Sequence, residues 1–300
     1  MKTKGMVVMA VMLVALLTSV AAQAQEAQEA LMLRYTYTAG ATDKYVMKGA
    51  FEGAMSGGPQ GEIPMDIGIE GALTVKTTAV SDKGVASQEI AIERMAVNSS
   101  VMGMESQMIA EGGKVTLLVN GQPMEMPEGT PGMEALSKPI KMKLDTRGNV
   151  VEMDISSLGD VLGGFDPSAM YRANTAFPEG PVSPGDSWSH SIKIPLNMLG
   201  QTTEMTMSFT YTFVGTEKYK GADVVRLSLK GTGELSTTGE GNTPFKDLTQ
   251  SFSGYELFDF KAGRTPYTKV KMEQAMAGMP GSGEQDMSMT ISGDLEVTLQ

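Results

Sequence analysis

The 300-residue sequence has no cysteine, one histidine and one tryptophan. Without cysteine there is no disulfide, no thiolate metal ligand, no thiol nucleophile and no acylated N-terminal cysteine of the lipoprotein kind. A single histidine, His190, excludes paired-histidine metal motifs and leaves no second imidazole for a multi-histidine centre. Basic charge is also short, with 24 Lys and Arg against 35 Asp and Glu and a net charge of −11. That balance disfavours nucleic acid or an anionic lipid surface as a partner, because like charges repel at ordinary salt. Despite 35 glycines there is no phosphate-cradling Gly-x-x-x-x-Gly-Lys-Ser/Thr loop and no Gly-x-Ser-x-Gly nucleophile elbow. No acid, base and nucleophile converge in the pattern, so no enzyme activity is expected. No catalytic residue, cofactor or protein-held metal site is assigned.

Long apolar runs are scarce as well. Met6 to Leu17 is uninterrupted, preceded by Lys2 and Lys4, ended by Thr18 and Ser19, and followed by Ala22-Gln23-Ala24. This is the pattern of an export signal, with small residues at the −3 and −1 positions of a cut before Gln25. About a dozen apolar residues fall short of the roughly 20 that cross a bilayer as a helix, so residues 1–24 are expected to be removed, with no membrane anchor retained. The expected location is periplasmic or extracellular, with the protein soluble after cleavage.

What the chain has in quantity is alternation. From Ile63, the odd positions Met65, Ile67, Ile69, Leu73 and Val75 are apolar, and Asp66, Glu70, Thr74 and Lys76 lie between them. The same period of two runs through Met205, Met207, Phe209, Tyr211 and Phe213, and again through Met287, Met289, Ile291, Leu295, Val297 and Leu299. Period two over such lengths predicts long strands with one wet face. Further strands are expected at 31–38, 44–55, 85–97, 114–119, 140–145, 188–194, 224–235, 254–260 and 267–276. Turn residues such as Asn120-Gly121 and Lys220-Gly221 separate them. Pro64 and Pro195 remove ladder donors and belong at strand ends or sheet edges.

Residues 156–165 and 166–174 break the alternation and carry capping residues, Ser156 and Asp166 with Pro167, which predicts two short helices. Leu158, Val161, Leu162 and Phe165 would share one helical face. The fold expected is mainly β: one large curved antiparallel sheet, half-barrel-like, with a short central helical segment. A proline-rich connector, 177–185, divides residues 25–300 into halves at 31–176 and 186–300. The run from Ile67 through Lys83-Gly84 to Ile92 can be laid over the run from Met205 through Lys220-Gly221 to Leu229, which suggests a duplication.

Methionine is the compositional anomaly: 26 in all, with Met-x-Met pairs at 102/104, 124/126, 205/207 and 287/289. Residues two apart in a strand share a face, so each pair offers two thioethers on one side. Three readings stand open: adaptable core filling, a soft lining for an apolar ligand, and Cu(I) binding through thioethers. The residues assigned to the lining are Met65, Ile67, Met205, Met207, Phe209, Phe213, Met287, Met289 and Leu162. The partner expected is a lipid or other hydrophobic small molecule. The alternative is a structural or protein-interaction module of the cell envelope that meets another envelope protein.

Leu33-Arg34-Tyr35-Thr36-Tyr37 with Tyr45 after a turn, the central Phe177-Pro178 and Pro184-Gly185-Asp186-Ser187-Trp188, and the following tyrosine-bearing strand to Gly215 together resemble a family of uncharacterised exported bacterial proteins. More remotely, one-sided long strands with a central helical plug are similar to the half-barrels of periplasmic lipoprotein carriers. That resemblance implies an apolar concavity for acyl chains and carries no residue-level site.

Overall fold

The computed structural model describes residues 29–58, 61–124, 138–154, 176–198, 201–236, 247–279 and 287–300. The expected signal segment, the expected helices and Leu162 lie outside them, and no helix occurs among the described residues. What is described is mainly β. The strands are β1 (Thr42–Gly58), β2 (Gly61–Val80), β3 (Ala86–Val101), β4 (Met104–Glu111), β5 (Lys114–Val119), β6 (Gln122–Met124), β7 (Ile140–Leu144), β8 (Val150–Asp154), β9 (Ser187–Met198), β10 (Gln201–Tyr219), β11 (Ala222–Ser236), β12 (Asp247–Asp259), β13 (Arg264–Met279) and β14 (Met287–Leu299).

All belong to one 14-stranded antiparallel sheet in the order β6-β5-β4-β3-β2-β1-β14-β13-β12-β11-β10-β9, with the β7–β8 hairpin attached to the start of β3. From the middle of the sheet the chain meanders to one edge, reappears at the opposite edge as β9, and meanders back until β14 pairs with β1. The connector at 177–185 falls between the two meanders. Hairpin chemistry sets the turns: Asn120 and Gly121, and Lys220 and Gly221, all have positive φ, as two-residue loops between twisted strands require. Register shifts that leave Val214 of β10 and Glu93 of β3 without a directly opposed residue are bulges that bend these long strands. Pro64 lies just beyond the β3 ladder, which stops at Met65, and Pro195 sits in the edge strand β9.

The expected strand at 31–38 is a correction. This stretch is extended, but its hydrogen bonds leave the sheet: Leu31 exchanges both with Val182, Tyr35 N–H donates to the Thr146 carbonyl at 2.7 Å, and Thr36 N–H to Gly263 at 3.0 Å. It is a strap across one end of the sheet, binding the β7–β8 turn, the β12–β13 turn and the connector together. Under it lies a core of Leu33, Phe177, Val182, Phe213, Val225, Leu227 and Phe258. Phe177 packs against Phe258 at 4.6 Å between ring centroids and against Tyr35 at 5.1 Å. Three fully buried phenylalanines, worth roughly 2–3 kcal/mol each, make this the anchored end of the molecule. The Arg34 guanidinium fastens the strap further by donating to the Pro178 and Glu179 carbonyls.

Candidate functional site: an apolar sheet face

Directly paired residues in an antiparallel sheet project from the same face, so register turns a sequence pattern into a surface. One cross-sheet row reads Trp188, Tyr211, Leu229, Gly254, Val270, Leu295, Gly49, Ile69, Val97, Met108, Leu117 and Met124. It crosses the whole path from β9 to β6 without a charged side chain, its polar atoms being the Tyr211 hydroxyl and the Trp188 indole N–H. The next row in one direction runs His190, Phe209, Gly231, Phe252, Met272, Gly293, Phe51 and Ile67, and ends on a hydrogen-bonded Ser99–Ser106 pair at 2.6 Å.

Both glycines of this second row stand beside a phenylalanine ring, Gly231 beside Phe209 and Gly293 beside Phe51, and each leaves the space that the ring fills. A Cβ on Gly293 would lie 2.6 Å from Cδ1 of Phe51.

Methionines gather toward the end of the face away from the strap. Leu248, Met276, Met289, Met55 and Ile63 follow one another on β12, β13, β14, β1 and β2. Met65 and Val101 pair one row nearer the middle, and Met205 and Met207 are buried with Phe209, Tyr211 and Leu229. Thus Met65, Ile67, Met205, Met207, Phe209, Phe213, Met287 and Met289, drawn from three separated stretches of sequence, fall on one face of one sheet. They are not equally covered. Phe213 belongs to the core under the strap, whereas Met65, Ile67, Met287 and Met289 are only half-buried. The loop-side methionines Met104 and Met124 are 54% and 51% exposed.

Farther along this side, polar groups are the Ser99–Ser106 pair and Gln250, whose amide donates to Gln274 Oε1 at 3.2 Å; others stand at the strapped end. Glu256 is buried there and accepts a hydrogen bond from the Thr265 hydroxyl at 2.7 Å. Burial raises the phenols of Tyr35, Tyr37 and Tyr45 well above their ordinary value, with the nearby carboxylates Glu256, Asp145 and Asp43 respectively adding to the shift. His190 lies flat on Tyr211, 5.9 Å between centroids and 3° between planes, and on Phe209 at 5.6 Å, so its environment is an aromatic stack.

The opposite face is hydrophilic by the same register. Ser187 with Thr212, Ser189 with Thr210 and Ser191 with Ser208 form a hydroxyl ladder at 2.7–2.8 Å. Lys269, Glu296, Lys48 and Glu70 alternate in sign across β13, β14, β1 and β2. The Lys269 ammonium, 2.9 Å from Glu296, holds that carboxyl below its usual range. Two open troughs, about 740 and 370 Å³, are lined mainly from this polar side, the larger by residues including Glu52, Thr232, Glu234, Ser251, Glu273 and Ser292. None of the described ligand candidates lines either trough. The apolar side is therefore a broad face, and the expectation of a concavity over the methionines is not met by these two hollows.

Among the described residues no cluster of three or more histidines and carboxylates is placed to hold a metal, and no helix is long and apolar enough to cross a membrane. No protein-family model and no curated sequence matches the chain. Among solved structures, lipovitellin, in a structure described by its lipid–protein interactions, aligns with a TM-score of 0.44 at 9% identity over 88% of this chain. The chain spans only 25% of the lipovitellin chain. The translocator domain of the autotransporter NalP from Neisseria meningitidis gives 0.29 at 8% identity, covering 95% of each chain. A putative outer membrane lipoprotein-sorting protein domain from Vibrio parahaemolyticus gives 0.15 at 11% identity, covering 84% of each. These scores all lie below 0.5, and such likenesses assign no function to this chain.

Proposed function

We propose that this chain is an exported binder of a hydrophobic ligand, an acyl chain or lipid, which lies along the apolar face of the sheet. The observation that carries the reading is the row from Trp188 to Met124, apolar across twelve strands, whose members on β13, β14, β1, β2 and β3 remain half-buried. Apolar area left in water forfeits about 25 cal/mol per Å², and apolar patches beyond a few hundred Å² mark binding surfaces. Methionines at the end away from the strap suit this role, because an unbranched thioether repacks around chains of differing shape. The aromatic core under the strap closes the other end. Export rests on the signal pattern in residues 1–24.

The purified protein, extracted with organic solvent and analysed by mass spectrometry, is expected to yield a stoichiometric acyl lipid. An extract without lipid, together with no binding of a fluorescent fatty acid, sinks the proposal. A second reading, a protein-interaction module, draws on the outer edge of β9, where no described strand pairs with its backbone groups. It predicts that a partner protein in a pull-down is lost when proline replaces Ser189 or Ser191.

A further inference from the structure

We infer a soft-metal site on this face, formed by the thioethers of Met55, Met289 and Met276, that takes a monovalent d¹⁰ ion, Cu(I) or Ag(I). The three are successive in the register: Met276 pairs with Met289, and Met289 with Met55. They stand on three adjacent strands, at one level, on one side. Facing Cβ atoms on neighbouring strands are about 5 Å apart. Each sulfur sits beyond its Cβ on rotatable bonds, so the outer two arms can lean toward the central Met289 and present three sulfurs to one ion. All three are half-buried, so the site is open to entry on one side and bordered by Leu248 and Ile63 on the other strands of the row.

The chemistry selects the ion. Neutral thioethers are poor ligands for hard cations such as Mg²⁺ or Ca²⁺, which take oxygen, and good ones for Cu(I). No thiolate competes anywhere in the chain, since there is no cysteine. Of the Met-x-Met pairs, 287/289 supplies Met289 to this trio, whereas the loop-side pairs 102/104 and 124/126 stand apart from it. Met102 occupies a turn with φ of 54°, Met104 and Met124 are exposed on the outer strands, and Met126 lies outside the described residues. A pair along one strand is spaced about 7 Å apart, wider than the cross-strand spacing.

The inference does not depend on the lipid reading, and its test uses the metal alone. The purified protein is titrated without oxygen against a colorimetric Cu(I) chelator, beside the variants Met289→Leu, Met276→Leu and Met104→Leu. Leucine keeps volume and apolarity, and circular dichroism reports that each variant is folded. The expected result is withdrawal of one equivalent of Cu(I), weakened by about tenfold or more in Met289→Leu and Met276→Leu and unchanged in Met104→Leu. Failure to withdraw copper, a smaller loss in either trio variant, or equal weakening in Met104→Leu overturns it. Fatty-acid fluorescence on the same variants reports on the lipid reading separately.

Discussion

Phe209 lies against Gly231 of the neighbouring strand so closely that a Cβ there would sit 2.8 Å from the ring's Cδ1. The ring is 5% exposed and has little room to withdraw. Alanine at Gly231 is therefore expected to cost about 1–3 kcal/mol by overpacking. Gly68, on the polar face, would place its Cβ no closer than 3.8 Å to Asn98, and alanine there is expected to be neutral or stabilising by up to about 1 kcal/mol. Urea midpoints of the two variants check the contrast. Equal effects would mean that the ring does not depend on the missing side chain.

The strap depends on a second glycine. Gly263 has φ of +65°, and a Cβ added to it would meet Thr36 N at 2.3 Å, the same nitrogen that donates to the Gly263 carbonyl. Gly263→Ala is expected to lower stability by about 2 kcal/mol or more, since neither backbone can give way cheaply. Hydrogen exchange gives the local readout. Amide protection at Tyr35 and Thr36 should fall in this variant ahead of protection in the centre of β14.

The fold was largely legible where inward positions are strongly apolar. The runs at 63–75, 205–213 and 287–299 announce strands with one dry face, and all eight described lining residues do share that face. β4 was missed because Ser106 and Ala110 occupy two of its inward positions, and Ser106 bonds to Ser99 there. The stretch 31–38 misled in the other direction. Leu31, Leu33, Tyr35 and Tyr37 alternate as in a strand, but the period of two reports extended backbone and one buried side, and a strap satisfies both without a ladder. Strand order was not legible at all, since the pairing of β1 with β14 joins residues some 250 positions apart. Local pattern contains no term for that closure. The level at which Met55, Met276 and Met289 meet depends on it.

Three half-buried tyrosines set an alkaline limit. Tyr35, Tyr37 and Tyr45 are neutral in the fold, with values raised by burial, and titrate near pH 10 once unfolded. Their contribution is complete below about pH 10 and is lost as pH rises further, at up to about 1.4 kcal/mol per pH unit for each phenol. Absorbance at the phenolate band should lag behind free tyrosine and then rise together with loss of the β signal in circular dichroism. Ionisation of all three while the sheet persists would show that the phenols are solvated.

The proposed apolar ligand belongs on the methionine-bearing face and not in the polar troughs. Methyl-labelled methionine NMR during titration with a medium-chain fatty acid tests this placement most directly. Saturable shifts are expected in the ε-methyl signals of Met55, Met65, Met276 and Met289, with Met32 and Met102 unmoved. No shift at saturating fatty acid, or shifts confined to Met32 and Met102, would contradict it.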